Sequence, residues 1–309
     1  MSKSSKLGKI GSVRNFVNIV REVNLEELRA NAEMAPRILV LAQSDDASAK
    51  VAEMLAGEAR SPYFTTGRLD AIPRTGHGYD AVVVFDPSAS DPIAGVSEKL
   101  MARELQLPVV AFGGSDPTDQ GAAEFAREAI VTQAPERAPA LGRHIPAFRP
   151  AAVQAVIDET ARANAQFSLV SNLPGVIPVI GSLMAAGADM LVLTKNQVMM
   201  VFKIAAIHDR DVHDQWRILR EITPVVGAGF FWRTLAREAA SFLPLLIGTL
   251  PKVAVAYIGT VVAGRGADLY YRFGRKPDRQ QMRELYNQAA ESLKRMPNPL
   301  SRRPEDDAA

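Results

Sequence analysis

Short apolar runs alternate with helix-like stretches through the first half of the chain. Three runs are rich in valine, isoleucine and leucine, and each ends in polar or glycine residues; they occupy residues 37–42, 79–85 and 107–112. Continuous apolar runs of this length are typical of parallel strands buried on both faces. The helix-like stretches between them cover residues 47–59, 95–105 and 119–129. This alternation predicts a doubly wound, mainly parallel α/β sheet, and weaker strands are expected at 63–66 and 130–132.

Two long apolar stretches dominate the second half of the chain. Residues 167–193 and 239–264 carry one charged side chain each, Asp189 and Lys252. About 20 helical residues cross the ~30 Å core of a bilayer, so each stretch is long enough to span a membrane. Two prolines interrupt each stretch, which argues against simple straight spans. The expected fold class is therefore α/β plus all-α, a parallel sheet followed by an apolar helical domain that lies in or on a membrane.

Polar residues recur every seven positions along the first apolar helix, at Asp189, Asn196, Lys203 and Arg210. This spacing places them in one narrow stripe of the helix surface. The stripe either faces other helices or a groove inside a membrane, or it is the solvent-facing side of a nearly buried helix. Small residues at Gly259, Ala263 and Ala267 allow close helix contact under both interpretations.

Composition narrows the classes of function and suggests where the domains end. The 309 residues contain no cysteine, which excludes disulfides, thiolate metal sites and cysteine nucleophiles. Lysine plus arginine (36) nearly balance aspartate plus glutamate (34), so nothing favours nucleic acid as a partner. Five segments are expected: N-terminal amphipathic helices at 1–33, the α/β domain at 34–134, a proline-rich linker at 135–150, the apolar helical domain at 151–295 and a disordered tail at 296–309.

The polar residues that follow the strands are the candidate site, because ligands of open α/β sheets bind outside the carboxyl ends of the strands. A phosphate loop would use Lys50 as its lysine, but Ser44, Ala49 and Val51 then replace the two glycines and the magnesium-binding hydroxyl. The third run leads into residues 113–116, where only the last residue fits a guanine-specificity motif. Lys50, Asp86 and Asp116 remain as weak candidates for binding a nucleotide cofactor, and no cofactor is expected.

A second interpretation of the same edge is a phospho-acceptor site. Receiver domains place two acids after the first strand and one after the third around magnesium, and Asp45, Asp46 and Asp86 have that order. These three are weak metal-ligand candidates, since no lysine follows the last predicted strand. They are better explained as loop and helix-cap residues. His77, flanked by glycines, is expected to be a loop residue.

A family resemblance covers about residues 144–294. It rests on the lead-in at 144–150, the proline-containing turn at 173–178, and the helices at 195–208, 233–242 and 257–274. These segments resemble the YcjF-like family, a bacterial helical domain of unknown function that often follows an Era-like GTPase domain. The resemblance implies association with the inner membrane and no catalytic residue. It also makes the first domain similar to a GTPase-like module without its phosphate loop.

Together these patterns predict a non-catalytic, membrane-associated scaffold or regulator. We expect it at the cytoplasmic membrane with its bulk on the cytoplasmic side, and with lipid, a protein partner or a second copy as its partners. Two alternatives stay open. One is a working nucleotide enzyme, and the other is a soluble oligomeric adaptor or receiver-like protein.

Overall fold

The computed structural model describes residues 23–72, 78–101, 107–170, 182–226 and 250–295. The chain divides into two compact units. One, here the α/β unit, comprises Asn24–Val156 and Phe202–Gln215; the other, here the helical unit, comprises the rest of the chain. The predictions for the N-terminal amphipathic stripe, His77, the turn at 173–178 and the tail at 296–309 concern positions outside the described residues.

The α/β unit contains a four-stranded sheet in which all strands are parallel. Its strands are β1 (Ile38–Ala42), β2 (Phe64–Arg68), β3 (Ala81–Phe85) and β4 (Val109–Ala111), in the order β2-β1-β3-β4. Every residue of β1 and β3 is buried, which explains why these two strands are uninterrupted apolar runs in the sequence. The expected doubly wound sheet is confirmed, and the weaker strand expected at 63–66 corresponds to β2.

Among its described residues, the α/β unit also contains five α-helices. They are α1 (Glu26–Glu33), α2 (Asp45–Ala56), α3 (Ala94–Met101), α4 (Gln120–Gln133) and α5 (Ala138–His144). Side chains start two of them, because Ser44 accepts a hydrogen bond from the α2 backbone and Asp119 accepts one from the α4 backbone. Helix α3 packs Val96 and Leu100 on one face of the sheet. The strand expected at 130–132 is wrong, since those residues continue α4.

Residues 135–150 are ordered into short helices, although their four prolines predicted an irregular linker. Two 3₁₀ turns, Pro135–Arg137 and Pro146–Phe148, flank α5, and each of these three elements has proline in its first two positions. Proline is well suited to a first helical turn, because the N–H it lacks would have no helical partner there. The prolines of this segment therefore lie at the starts of several short helices and do not indicate an irregular linker.

Five further helices in the described part of the chain build the helical unit. They are α6 (Arg149–Val170), α7 (Ser182–Ile207), α8 (Gln215–Val226), α9 (Leu250–Phe273) and α10 (Arg279–Arg295), and the division between the units falls within α6 and α7. Protein covers the apolar side of α9, where Tyr257, Ile258 and Val262 pack with Ala161 of α6 and Tyr286 of α10. Apolar residues in this unit thus form a protein core.

The expectation of transmembrane helices is wrong for the part of the chain that the structure describes. None of its helices combines the length and the apolar character needed to cross a membrane. Polar residues are the reason: Lys195, Asn196 and Gln197 interrupt α7, while Arg265 and Asp268 interrupt α9. The predicted location at the cytoplasmic membrane lost its basis with these helices, and we do not retain it.

Candidate functional site

The strand order creates one natural crevice in the sheet. Chain connections leave β1 and β3 in opposite directions, toward β2 on one side and β4 on the other. In open parallel sheets, ligands bind at such a switch point, outside the carboxyl ends of the two strands. Gln43 and Ser44 follow β1, and Asp86 follows β3, so these residues border the crevice.

Gln43 links the two sides of this crevice. Its side-chain Nε2 donates to Asp86 Oδ1 at 2.8 Å and to Ser88 Oγ at 2.7 Å. Ser88 in turn donates to the same carboxylate oxygen from its backbone N at 3.1 Å and from its hydroxyl at 2.7 Å. These bonds, the Ser88 hydroxyl first among them, hold the pKa of Asp86 below its ordinary value. Asp86 is therefore an ionised turn residue whose Oδ1 is already fully used.

The turn after β1 is occupied by capping interactions. Ser44 Oγ accepts from Ala47 N at 3.2 Å at the start of α2, and Asp45 and Asp46 lie in the first turn of the helix. Lys50 Nζ pairs with Asp46 Oδ2 at 2.6 Å, one helical turn away. The hydrogen bond that Lys50 donates to Asp46 raises the pKa of Lys50, and the charge of Asp116 acts in the same direction. Acids in this first turn stabilise the helix dipole and oppose an incoming phosphate.

In the loop after β4, polar side chains also accept hydrogen bonds from nearby residues. Asp116 Oδ1 accepts from Thr118 N at 2.8 Å and from Thr118 Oγ1 at 2.7 Å, which lowers the pKa of the Asp116 carboxyl. Asp119 Oδ1 accepts from Ala122 N at 2.8 Å as the cap of α4. Gly114 adopts a left-handed backbone with φ of 79°, which glycine takes without strain. Both aspartates therefore shape the loop.

The predicted site residues are only partly brought together. Lys50 interacts electrostatically with Asp46 and with Asp116, whereas Asp86 belongs to the separate group around Gln43. Within the described ranges, no three histidine, aspartate or glutamate side chains are arranged to hold a metal ion, so Asp45, Asp46 and Asp86 do not form a receiver-type magnesium site there. Sequence reasoning missed Gln43 and Ser88. Their only sequence signal is that each lies within three residues of a strand end.

The polar stripe of α7 is partly resolved as a contact between helices. Asn196 Nδ2 donates to Asn164 Oδ1 on α6 at 2.8 Å, and Asn164 Nδ2 donates to Thr260 Oγ1 on α9 at 2.9 Å. Thr260 also accepts from Gln197 Nε2 at 3.4 Å and donates to Ala256 O at 2.7 Å. We call Asn164, Asn196, Gln197 and Thr260 the amide network. Asp189 lies on α7 with its side chain outside the described atoms, and Lys203 is half-buried.

The amide network should matter for stability. Asn164 and Thr260 are fully buried, and a buried polar group that loses its partner costs about 1–3 kcal/mol. Asn164→Leu is therefore expected to lower the free energy of unfolding by about 1–3 kcal/mol, measured by urea denaturation. Asn287→Leu, at an exposed position of α10, is the matched control and should change stability by less than about 0.5 kcal/mol. Equal effects of the two substitutions would contradict a stabilising network.

Comparisons with protein-family models, with curated proteins and with solved structures found no match to this chain. The resemblance to the YcjF-like family is thus neither confirmed nor refuted and stays a prediction. The description of the first domain as GTPase-like has no family or homologue support. Since the residues at the expected phosphate loop are a helix cap and an ion pair, we correct that description to a doubly wound α/β unit.

Proposed function

We propose that this protein is a non-catalytic binding protein, a scaffold or regulator that works through a protein partner. The observation that carries the proposal is the state of the crevice between β1 and β3. Gln43 bridges it, and the Asp86 and Asp116 oxygens accept bonds from neighbouring side chains. Lys50, the cation predicted to meet a phosphate, is paired with Asp46. The groups that would bind a nucleotide thus serve the turns and helix starts of the fold.

The acids around Lys50 make the start of α2 a poor phosphate site, and this supports the proposal over a nucleotide enzyme. Binding a triphosphate here would require breaking the Lys50–Asp46 contact and bringing phosphate toward the acids of the α2 first turn. Phosphate sites at helix starts use free backbone N–H groups. In α2 the Ser44 hydroxyl oxygen already accepts from one of them. Charge and hydrogen bonding therefore both oppose a triphosphate.

Calorimetric titration of the full chain with GTP or ATP, with and without magnesium, tests this proposal. We expect no saturable heat and no rise in Tm. A nucleotide that did bind would be detected, because a ligand at about 100 times its Kd stabilises the fold by about 2.7 kcal/mol. Saturable binding that Lys50→Ala abolishes would overturn the proposal. Lys99→Ala, which removes a lysine on α3, separates that result from a general loss of positive charge.

A further inference from the structure

A groove lies on the α/β unit away from the crevice. It has a volume of about 790 Å³ and runs between the end of α2, one side of α4 and the start of α6. Met54, Ala147, Pro150 and Ala151 supply apolar surface to it. No described interaction of the crevice residues extends to this groove, so it is a separate feature of the unit.

Three carboxylates border the groove. Glu53 lies on α2, while Glu124 and Glu128 lie one turn apart on α4, and all three are exposed. No basic side chain forms an ion pair with any of them in the described part of the chain. Among the described residues, only Glu124 has a side-chain hydrogen bond, accepted from Gln120 Nε2 at 3.2 Å. The rim is thus a negative surface, and the charge of Arg127 acts on it only at Glu124 within the described part of the chain.

Arg127 is the one cation among the described residues that line the groove, and its hydrogen bonds stabilise the fold. Arg127 is buried, and its guanidinium donates to the backbone oxygens of Leu55 and Met54 at the end of α2. Burial lowers the Arg127 pKa, and the charge of Glu124 partly opposes that shift. Its hydrogen bonds close the last turn of α2, whose carbonyls have no helical partner. The Arg127 guanidinium therefore donates to α2, and a cation from a ligand would be needed to form salt bridges with the rim carboxylates.

The form of the groove selects the kind of ligand. Among the described residues, no three acidic or histidine side chains are arranged to hold one metal ion, so separate positive charges suit these carboxylates better than a single metal ion. The apolar residues that line the groove favour a ligand that also carries apolar side chains. Basic and apolar groups alternate in this way on amphipathic peptide segments.

We propose that this groove binds a basic, amphipathic segment of a partner protein. Lysine or arginine side chains one helical turn apart would face Glu124 and Glu128, whose side chains are about 5–6 Å apart at this spacing. A third cation would meet Glu53 across the groove, and apolar side chains would cover Met54 and Pro150. This inference rests on the proposed function, because it names the chemistry of the partner that a scaffold would hold.

The test uses the full chain and a labelled synthetic helical peptide of lysine and leucine in amphipathic order. Fluorescence anisotropy should show saturable binding that is absent for a peptide with glutamate in place of lysine. The triple variant E53Q/E124Q/E128Q should weaken binding about tenfold, since three exposed ion pairs are lost. Met54→Gln should weaken it without any change in charge, because Met54 lines the groove. Hydrogen exchange of residues 120–128 should slow when the peptide is added.

A matched triple variant controls for the general loss of negative charge. E26Q/E27Q/E98Q removes the same charge from exposed positions of α1 and α3 and should leave the affinity unchanged, with circular dichroism confirming that both triples fold. Equal weakening in the two triples, absence of binding, or binding of spermine that matches the peptide in every variant would each overturn the groove as a peptide site. If the nucleotide titrations show no binding, failure of the peptide test contradicts the groove proposal alone and not the proposed function. Nucleotide binding that depends on Lys50 would instead contradict the proposed function.

Discussion

Replacing Arg137 with methionine is expected to lower the free energy of unfolding by about 3–5 kcal/mol, the usual effect of breaking a buried ion pair on one side. The Arg137 side chain is only 9 % exposed and its Nε donates to Asp80 Oδ1 at 2.9 Å. It also donates to Asn31 O at 3.1 Å and to Met34 O at 3.0 Å, at the end of α1. One guanidinium thus joins α1, the residue before β3 and the start of α5.

The large effect follows from what remains after the substitution. Asp80 keeps a hydrogen bond from Arg37 N at 2.8 Å, but its mostly buried carboxylate loses its cation, and two backbone oxygens lose their donor. Arg137→Lys keeps the charge without the planar fork and should lie between wild type and Arg137→Met.

Urea denaturation followed by circular dichroism measures this prediction. Arg68→Met is the control, because Arg68 forms a comparable pair with Asp70 whose side chains are 47 % and 67 % exposed. Exposed pairs contribute about 0–1 kcal/mol, so this variant should stay within about 1 kcal/mol of wild type. If Arg137→Met were no more destabilising than Arg68→Met, the buried Arg137–Asp80 pair would contribute no more to stability than an exposed pair.

Substitution of Gly264 by alanine is expected to destabilise the helical unit by about 1–3 kcal/mol. A Cβ at this position of α9 would lie 2.5 Å from Ile157 Cγ1 on α6 and 3.1 Å from Met200 Sδ on α7. Both neighbours are fully buried, so neither can move into solvent. Steric overlap should exceed the gain of about 1 kcal/mol that alanine brings to a helix interior.

Two further variants separate packing from helix propensity. Gly95→Ala in α3 makes the same change where a Cβ would meet nothing within 4 Å, and it should stabilise the protein by about 0.4–1 kcal/mol. Combining Ile157→Ala with Gly264→Ala should cost less than the sum of the two single changes, with a coupling of about 0.5–3 kcal/mol in thermal denaturation. Additive effects would show that the two helices do not meet at this glycine.

The strands and helices of the α/β unit could be predicted because burial on both faces leaves a direct mark on the sequence. Residues 81–85 are valine-rich since no side of β3 contacts solvent. Residues 130–132 misled for the same reason: Ile130 and Val131 are fully buried, and a short apolar run has the same composition in a buried helix turn as in a strand.

The candidate site was predictable in position but not in state. Parallel strands place their carboxyl ends at one edge, so Asp86 and Asp116 could be expected there from the sequence. Whether a carboxylate is open to a ligand depends on its partners. Gln43 lies 43 residues before Asp86, and only the pairing of β1 with β3 brings them into contact.

In the second half of the chain, the sequence predicts an apolar surface but not what covers it. The side chains of residues 250–273 and 182–207 are mostly apolar, and this can be read directly because side-chain chemistry is local. What covers that surface is decided by tertiary structure, since lipid and protein cores exclude water equally well. Ile157 against Gly264 and the Asn164–Thr260 hydrogen bond show that neighbouring helices cover it here. Such contacts join positions about a hundred residues apart, and no local pattern records them.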